Sequence, residues 1–114
     1  MELQDTKVGH IMILKPLEKR IDASVATHFK SRVVDYINAG HRYIVLDLSD
    51  VDFIDSSGLG AIVSSFKTIG QNGVFVIADV KEPVMGLFRL TRLDRVFRMF
   101  PNRDEAIKAL SNSL

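Results

Sequence analysis

The chain contains no cysteine. That excludes a disulfide framework, a cysteine-ligated zinc site and a thiol nucleophile. It also lacks a charge excess: fifteen basic residues stand against fourteen acidic ones, for a net charge of +1. Proteins built mainly to hold nucleic acid or an anionic membrane usually carry a clear basic surplus, so neither partner is expected. Long hydrophobic runs are missing as well. The longest, Val74–Ala78, is far too short to cross a bilayer. The opening Met1-Glu2-Leu3-Gln4-Asp5 has neither a basic start nor an apolar stretch, so no secretory signal is read there. No linker, low-complexity run or internal repeat is present. The expectation is one cytoplasmic domain, monomeric when free, with only the tail Ser111–Leu114 frayed. At 114 residues it can bury roughly two thirds of its unfolded surface in one core.

What is there alternates between strand-like and helix-like pieces. His10–Leu14 reads as a strand, paired with residues 3–7 and ended by Pro16. Asp22 or Ser24 is placed to cap a helix whose apolar side is Val25, Phe29, Val33 and Ile37, stopped at Asn38-Ala39-Gly40. Tyr43–Leu46 has the look of a central parallel strand. Val51, Phe53 and Ile54 lead into Asp55. A second helix spans 56–71 with a stripe of Leu59, Ile62, Val63, Phe66 and Ile69. Asn72-Gly73 ends it before the strand 74–78. Pro83 suits the first turn of a third helix that turns Val84, Leu87 and Phe88 inward. Val96-Phe97 reads as a short strand, and Asp104 opens a last helix with Ala106, Ile107 and Leu110 inward. Strands separated by helices of this length imply right-handed crossovers and a mainly parallel or mixed sheet, an α/β domain.

The most informative stretch is Phe53-Ile54-Asp55-Ser56-Ser57-Gly58-Leu59-Gly60, where a strand runs into a helix with almost no loop. Asp and Ser are good cap residues, so a plain capped helix is one reading. The outer face of the same helix supplies another. Ser57, Gly60, Ala61, Ser64, Thr68 and Gln71 fall on one line at helical spacing, and all but Gln71 are small. An ordinary solvated face is rich in Lys and Glu. A smooth face lets another backbone approach closely; a second buried face would look the same.

In this context the chain resembles the STAS domain family, within it the stand-alone anti-sigma factor antagonists of bacterial partner-switching systems. The motif is Asp55-Ser56-Ser57-Gly58-Leu59-Gly60, preceded by an apolar strand with Asp47-Leu48-Ser49. Arg20-Ile21-Asp22, Asn72-Gly73, Phe88 and Leu93–Phe97 are supporting matches. The resemblance implies a single domain over 1–114, its core about 5–110, with a mixed, mainly parallel sheet of four to five strands and about four helices. It also implies a switch. Ser56 would be phosphorylated by a GHKL-type serine kinase that is itself the anti-sigma factor. The unphosphorylated form would bind that kinase and free its target, and a PP2C-type phosphatase would reset the phosphorylated form. By the resemblance Asp22 is the partner-facing acid; the motif and the smooth helix face add Asp55, Ser57, Gly58, Gly60, Ala61, Ser64 and Thr68 as expected contacts. No cofactor or metal and no catalysis are implied. Two positions depart from the family pattern. Lys19 stands where Gly is usual, and Thr91-Arg92-Leu93 stands where Ser-Gly-Leu is usual.

Other constellations in the chain carry weaker signals. Asp47, Asp50, Asp52 and Asp55 form an acidic run, but alternate strand residues point to opposite faces and cannot converge simply on a magnesium ion. Arg89, Arg92, Arg95 and Arg98 read as a solvated face, since no aromatic platform for nucleic acid is interleaved. His10, His28 and His41 lack ligand spacing. A serine-hydrolase reading of Ser56 fails because its flanks are not Gly-x-Ser-x-Gly. The alternative within the same fold is an accessory subunit of a lipid-transport ABC complex, or a scaffold indifferent to phosphorylation.

Overall fold

The structure, a computed structural model, describes residues 1–112; Ser113 and Leu114 of the tail lie outside the described residues. Strands β1 (Leu3–Val8) and β2 (Ile11–Pro16) form an antiparallel hairpin. β2 then pairs in parallel with β4 (Tyr43–Asp47), β4 with β6 (Val74–Ala78), and β6 with β7 (Met99–Phe100). The sheet order is β1-β2-β4-β6-β7, mixed and mostly parallel as the alternation of elements predicts. A separate pair, β3 (Arg20–Ile21) with β5 (Phe53–Ile54), sets Arg20 opposite Phe53 and Ile21 opposite Ile54.

Both faces of the sheet are covered, which is why β4 and β6 are continuous apolar runs rather than alternating ones. On one face Leu14, Ile44, Leu46, Phe75 and Ile77 pack under three helices: α1 (Ala26–Asn38), α2 (Ser56–Ile69) and α3 (Glu82–Leu90). These helices contribute Phe29, Val33, Leu59, Ile62, Ile69, Val84 and Phe88. On the other face Ile11, Ile13, Val45 and Val76 pack under α4 (Arg103–Ser111) through Ala106 and Leu110. Each fully buried aliphatic side chain contributes roughly 1.5–3 kcal/mol. Among the described residues no helix is long and apolar enough to cross a membrane.

Several boundaries differ from the sequence expectation. α1 begins at Ala26 after Val25, which makes no side-chain cap bond. Asp22 instead ties the turn ahead of it, accepting from the Ser24 N–H at 3.0 Å and the Ser24 hydroxyl at 2.5 Å. α2 ends at Ile69, and Gly70–Asn72 add one 3-10 turn. Val63 and Phe66 are half-buried rather than core. The last strand is Met99–Phe100, not Val96-Phe97. Residues 93–95 form a 3-10 turn that drops Phe97 into an aromatic cluster, 4.9 Å from Phe66 and 6.0 Å from Phe88 between ring centres. The final helix starts at Arg103, capped by Asn102, whose side chain accepts from the Glu105 N–H at 2.8 Å. Arg92 takes a left-handed backbone (φ +61°), so this turn keeps the conformation a glycine adopts at least cost.

Buried Asp47 fastens α4 to the sheet: it accepts from Arg103 Nε at 3.0 Å, and Nη2 lies 2.8 Å from the same oxygen. Asp79 accepts from the Arg103 N–H. Burial, and then the charge of Asp47, push the Asp79 carboxyl above its usual range.

Candidate functional site

The site is built by one carboxylate and one missing side chain. Asp55 is the N-cap of α2; its Oδ1 accepts from the Gly58 N–H at 2.9 Å. Its Oδ2 accepts from the Ala23 N–H at 3.3 Å, so the same group joins α2 to the turn before α1. Such a cap is worth about 1 kcal/mol. Gly58 lets the helix sit against β3: a Cβ there would lie 2.0 Å from the carbonyl oxygen of Ile21. Only glycine fits. The consequence is that Ser56 and Ser57, both exposed, are held on a fixed first turn beside Asp55. Helix N-termini favour anionic groups through free N–H groups and the helix dipole.

Asp22 stands half-buried on the neighbouring turn, with Arg20 Nε 3.6 Å away. The Ser24 hydroxyl, and after it the Ser24 N–H, hold its carboxyl below the usual carboxylate range. Beyond Ser57 a groove of about 260 Å³ runs between α2 and α1. Ser57, Gly60, Ala61 and Ser64 line it from α2. Ala23, Ala26, Thr27 and Lys30 line it from the other side. The sequence reading missed all four: Ala26, Thr27 and Lys30 sit on α1 and Ala23 in the turn before it, and their spacing of three to four residues is the signal that would have found them.

Not every expected contact residue is on the surface. Gly58 is buried against β3, so its place in the motif is steric and internal. Ala61 is only 7 % exposed and forms the groove floor against the core. Thr68 is exposed but lies outside the groove, its hydroxyl donating to the Ser64 carbonyl. Gly60 is different: a Cβ there would meet nothing within 4 Å.

The acidic run disperses. Asp47 binds Arg103, Asp50 lies 3.6 Å from Lys15, Asp52 bonds Lys81 at 2.6 Å, and Asp55 caps α2. No group of carboxylates or histidines able to hold a metal occurs among the described residues. Arg89, Arg92, Arg95 and Arg98 are exposed. Arg89 pairs with Glu82 and Arg98 lies over the Phe100 ring.

Comparison with known proteins finds relatives over nearly the whole chain. The STAS domain family matches residues 2–106. A Thermotoga maritima protein provisionally named an anti-sigma factor antagonist is 37 % identical over 103 residues, 89 % of this chain and 90 % of that one. The anti-sigma-B factor antagonist of Listeria monocytogenes is 31 % identical over 88 % of this chain and 76 % of its own length. A crystal structure of a Thermotoga maritima protein with the same provisional name superposes with a TM-score of 0.87 at 34 % identity, covering 94 % and 92 % of the two chains. The chain belongs to the STAS domain family, alongside members named anti-sigma factor antagonists.

Proposed function

We propose that this protein is a phosphorylation-switched binding module rather than an enzyme. In its unphosphorylated form it binds, in the cytoplasm, an anti-sigma factor that is also a GHKL-type serine kinase, and so releases the factor's target. Phosphorylation of Ser56 ends the binding, and a PP2C-type phosphatase restores it. The docking face is the first turn of α2 with the α1/α2 groove: Asp22, Asp55, Ser57, Gly60 and Ser64 around the Ala61 floor.

The observation that supports this reading is the position of Ser56. It is exposed at the first residue of α2, next to the Asp55 carboxylate and one residue before Ser57, which lines a groove of mainly small side chains. A phosphoserine adds about −1.5 to −2 charges. In the free protein the helix N-terminus favours that charge. In a complex it must be desolvated beside Asp55 and near Asp22. A mismatched buried charge at an interface costs roughly 2–5 kcal/mol. That is about thirtyfold to several thousandfold in affinity, enough for a switch that leaves the fold unchanged.

The test is a paired pull-down from native lysate with Ser56→Ala and Ser56→Asp baits, followed by protein identification. The Ala form is expected to capture a serine kinase that the Asp form does not. Equal capture by both would reduce Ser56 to a residue of the helix cap. Purified partner and enzymatically phosphorylated protein then give the affinity ratio directly.

A further inference from the structure

At the end of the sheet where β2 and β4 begin, a hollow of about 150 Å³ is lined by Lys7, His10, Gly40, His41, Arg42 and Tyr43. We propose that it binds a single phosphate group. The inference goes beyond the Ser56 switch and does not depend on it: the chain reaches Ser56 only after leaving the opposite end of β4.

The first support is charge. Two stretches of chain far apart in sequence meet here. The β1–β2 hairpin brings Lys7 and His10, and the loop from α1 to β4 brings His41 and Arg42. The register that sets Ile11 beside Tyr43 aligns them. No Asp or Glu lines the hollow. Among the described residues neither Lys7 nor Arg42 is in an ion pair, unlike six other Lys and Arg side chains. Asp5, two residues before Lys7 on β1, accepts from the Tyr36 hydroxyl. Asp35 belongs with Arg32 to an adjoining hollow that shares His41. Like charges gathered without a counter-ion repel one another, so an anion is the ligand that relieves the site.

The fold does not need these cations as caps. At the end of α1 the carbonyls of Asp35, Tyr36 and Ile37 already accept from the N–H groups of Ala39, His41 and Gly40. The loop is also fixed in place. The Arg42 carbonyl accepts from the Val74 N–H at 2.7 Å, and the His41 ring lies 5.8 Å from the Tyr36 ring. Gly40, at φ +102°, makes the turn that leads into His41 and Arg42, a conformation open chiefly to glycine.

Donors and size select the ligand. A guanidinium matches two phosphate oxygens at once, an ammonium adds a point charge, and an imidazole offers a ring N–H. Two fixed positive charges balance the roughly −1.5 to −2 of a phosphate monoester. The volume of about 150 Å³ lies below the roughly 300–1,000 Å³ of sites that enclose drug-sized molecules. The phosphate is held, and whatever carries it stays outside. Free phosphate, a small phosphate ester and the headgroup of phosphatidic acid all present that group.

The experiment is an amide NMR titration of the full isotope-labelled chain. The probes are inorganic phosphate, glycerol phosphate, phosphatidic acid vesicles, and sodium chloride at matched ionic strength. Inorganic phosphate is expected to shift the amides of Lys7, His10, His41 and Arg42 saturably, and chloride is not. Arg42→Ala should weaken phosphate by about tenfold, and Arg42→Lys by less. Lys7 and Arg42 are exposed, so these variants should keep the unfolding midpoint of the unmodified chain. Ser56→Asp should bind phosphate like the unmodified chain, which separates this site from the switch. Vesicle binding that Arg42→Ala abolishes makes the headgroup the source; glycerol phosphate binding without it makes the source a soluble ester. No saturable shift, equal shifts with chloride, shifts confined to other residues, or undiminished binding by the double variant Lys7→Ala/Arg42→Ala each overturns the proposal.

Discussion

The two grooves that adjoin the start of α2 are made of different material. The α1/α2 groove is small and polar, with Ser57, Ser64, Thr27 and Lys30 around Gly60 and Ala61. The β5/α3 groove is apolar, with Phe53, Leu87 and Leu90 around Gly86. Each contains a glycine inside a helix whose missing side chain would meet nothing. Between them sits Gly58, whose missing side chain would collide with a backbone carbonyl. The difference separates two uses of glycine. At Gly58 it satisfies the fold. At Gly60 and Gly86 it keeps a surface open at some expense of helix stability. The polar groove is the one that the proposed phosphate at the start of α2 would regulate, because its lining offers hydroxyls and a charge to a partner. The apolar groove has Asp52 as its one charged lining residue, and burial there would act through area removed from water.

The contrast can be broken at its strongest point first. Gly58→Ala should destabilise by about 3 kcal/mol, since backbone must move to relieve the contact with Ile21. Denaturant unfolding measures it, and a loss under 1 kcal/mol would mean that β3 and α2 are not locked together. Ser64→Lys should leave the unfolding midpoint nearly unchanged while weakening the complex with the proposed kinase partner by tenfold or more, roughly 1.4 kcal/mol. Unaltered affinity by calorimetry would take α2 out of the interface. Asp55→Ala should cost about 1 kcal/mol of stability through the lost cap, and it should also free the Ala23 N–H, seen as faster amide exchange at the turn before α1. The smallest effects have the opposite sign. Gly60→Ala and Gly86→Ala should each stabilise by about 0.5–1 kcal/mol. Gly60→Ala alone should impair binding at the polar groove; destabilisation by either would show that its open space is not open in solution.

Much of this arrangement was legible in the chain, and the failures have physical causes. The hairpin, β4, β6, the apolar side of α1 and the start of α2 follow from periodicity, because each is a long or strongly patterned segment. The family motif located Asp55 and Ser56 correctly at a strand-to-helix junction. Spacing could not distinguish Gly58 from Gly60, since the carbonyl that excludes a Cβ at Gly58 belongs to Ile21, far away in sequence. The same limit applies to Ala61, which looks like a surface residue until α1 is laid over it. Val96-Phe97 reads as β-branched and aromatic, yet Phe97 is claimed by the cluster of Phe66, Phe75 and Phe88, a tertiary demand that overrides local preference. The last helix cap carried a readable signal, Asn102 followed three residues later by Glu105. Asp104, an equally good cap residue on its own, masked it.

The sheet's two outer strands have a consequence for the way partners are recruited. An open edge invites a stranger's strand to extend the ladder through main-chain hydrogen bonds. Here one edge is β7, two residues long, and the other is β1, which carries Asp5 and Lys7. Neither gives a visiting strand much to grip. Recognition is left to the side chains of the helices, where, under the proposed switch, a single phosphate would decide the outcome; an added strand, held by many backbone bonds, would scarcely register it.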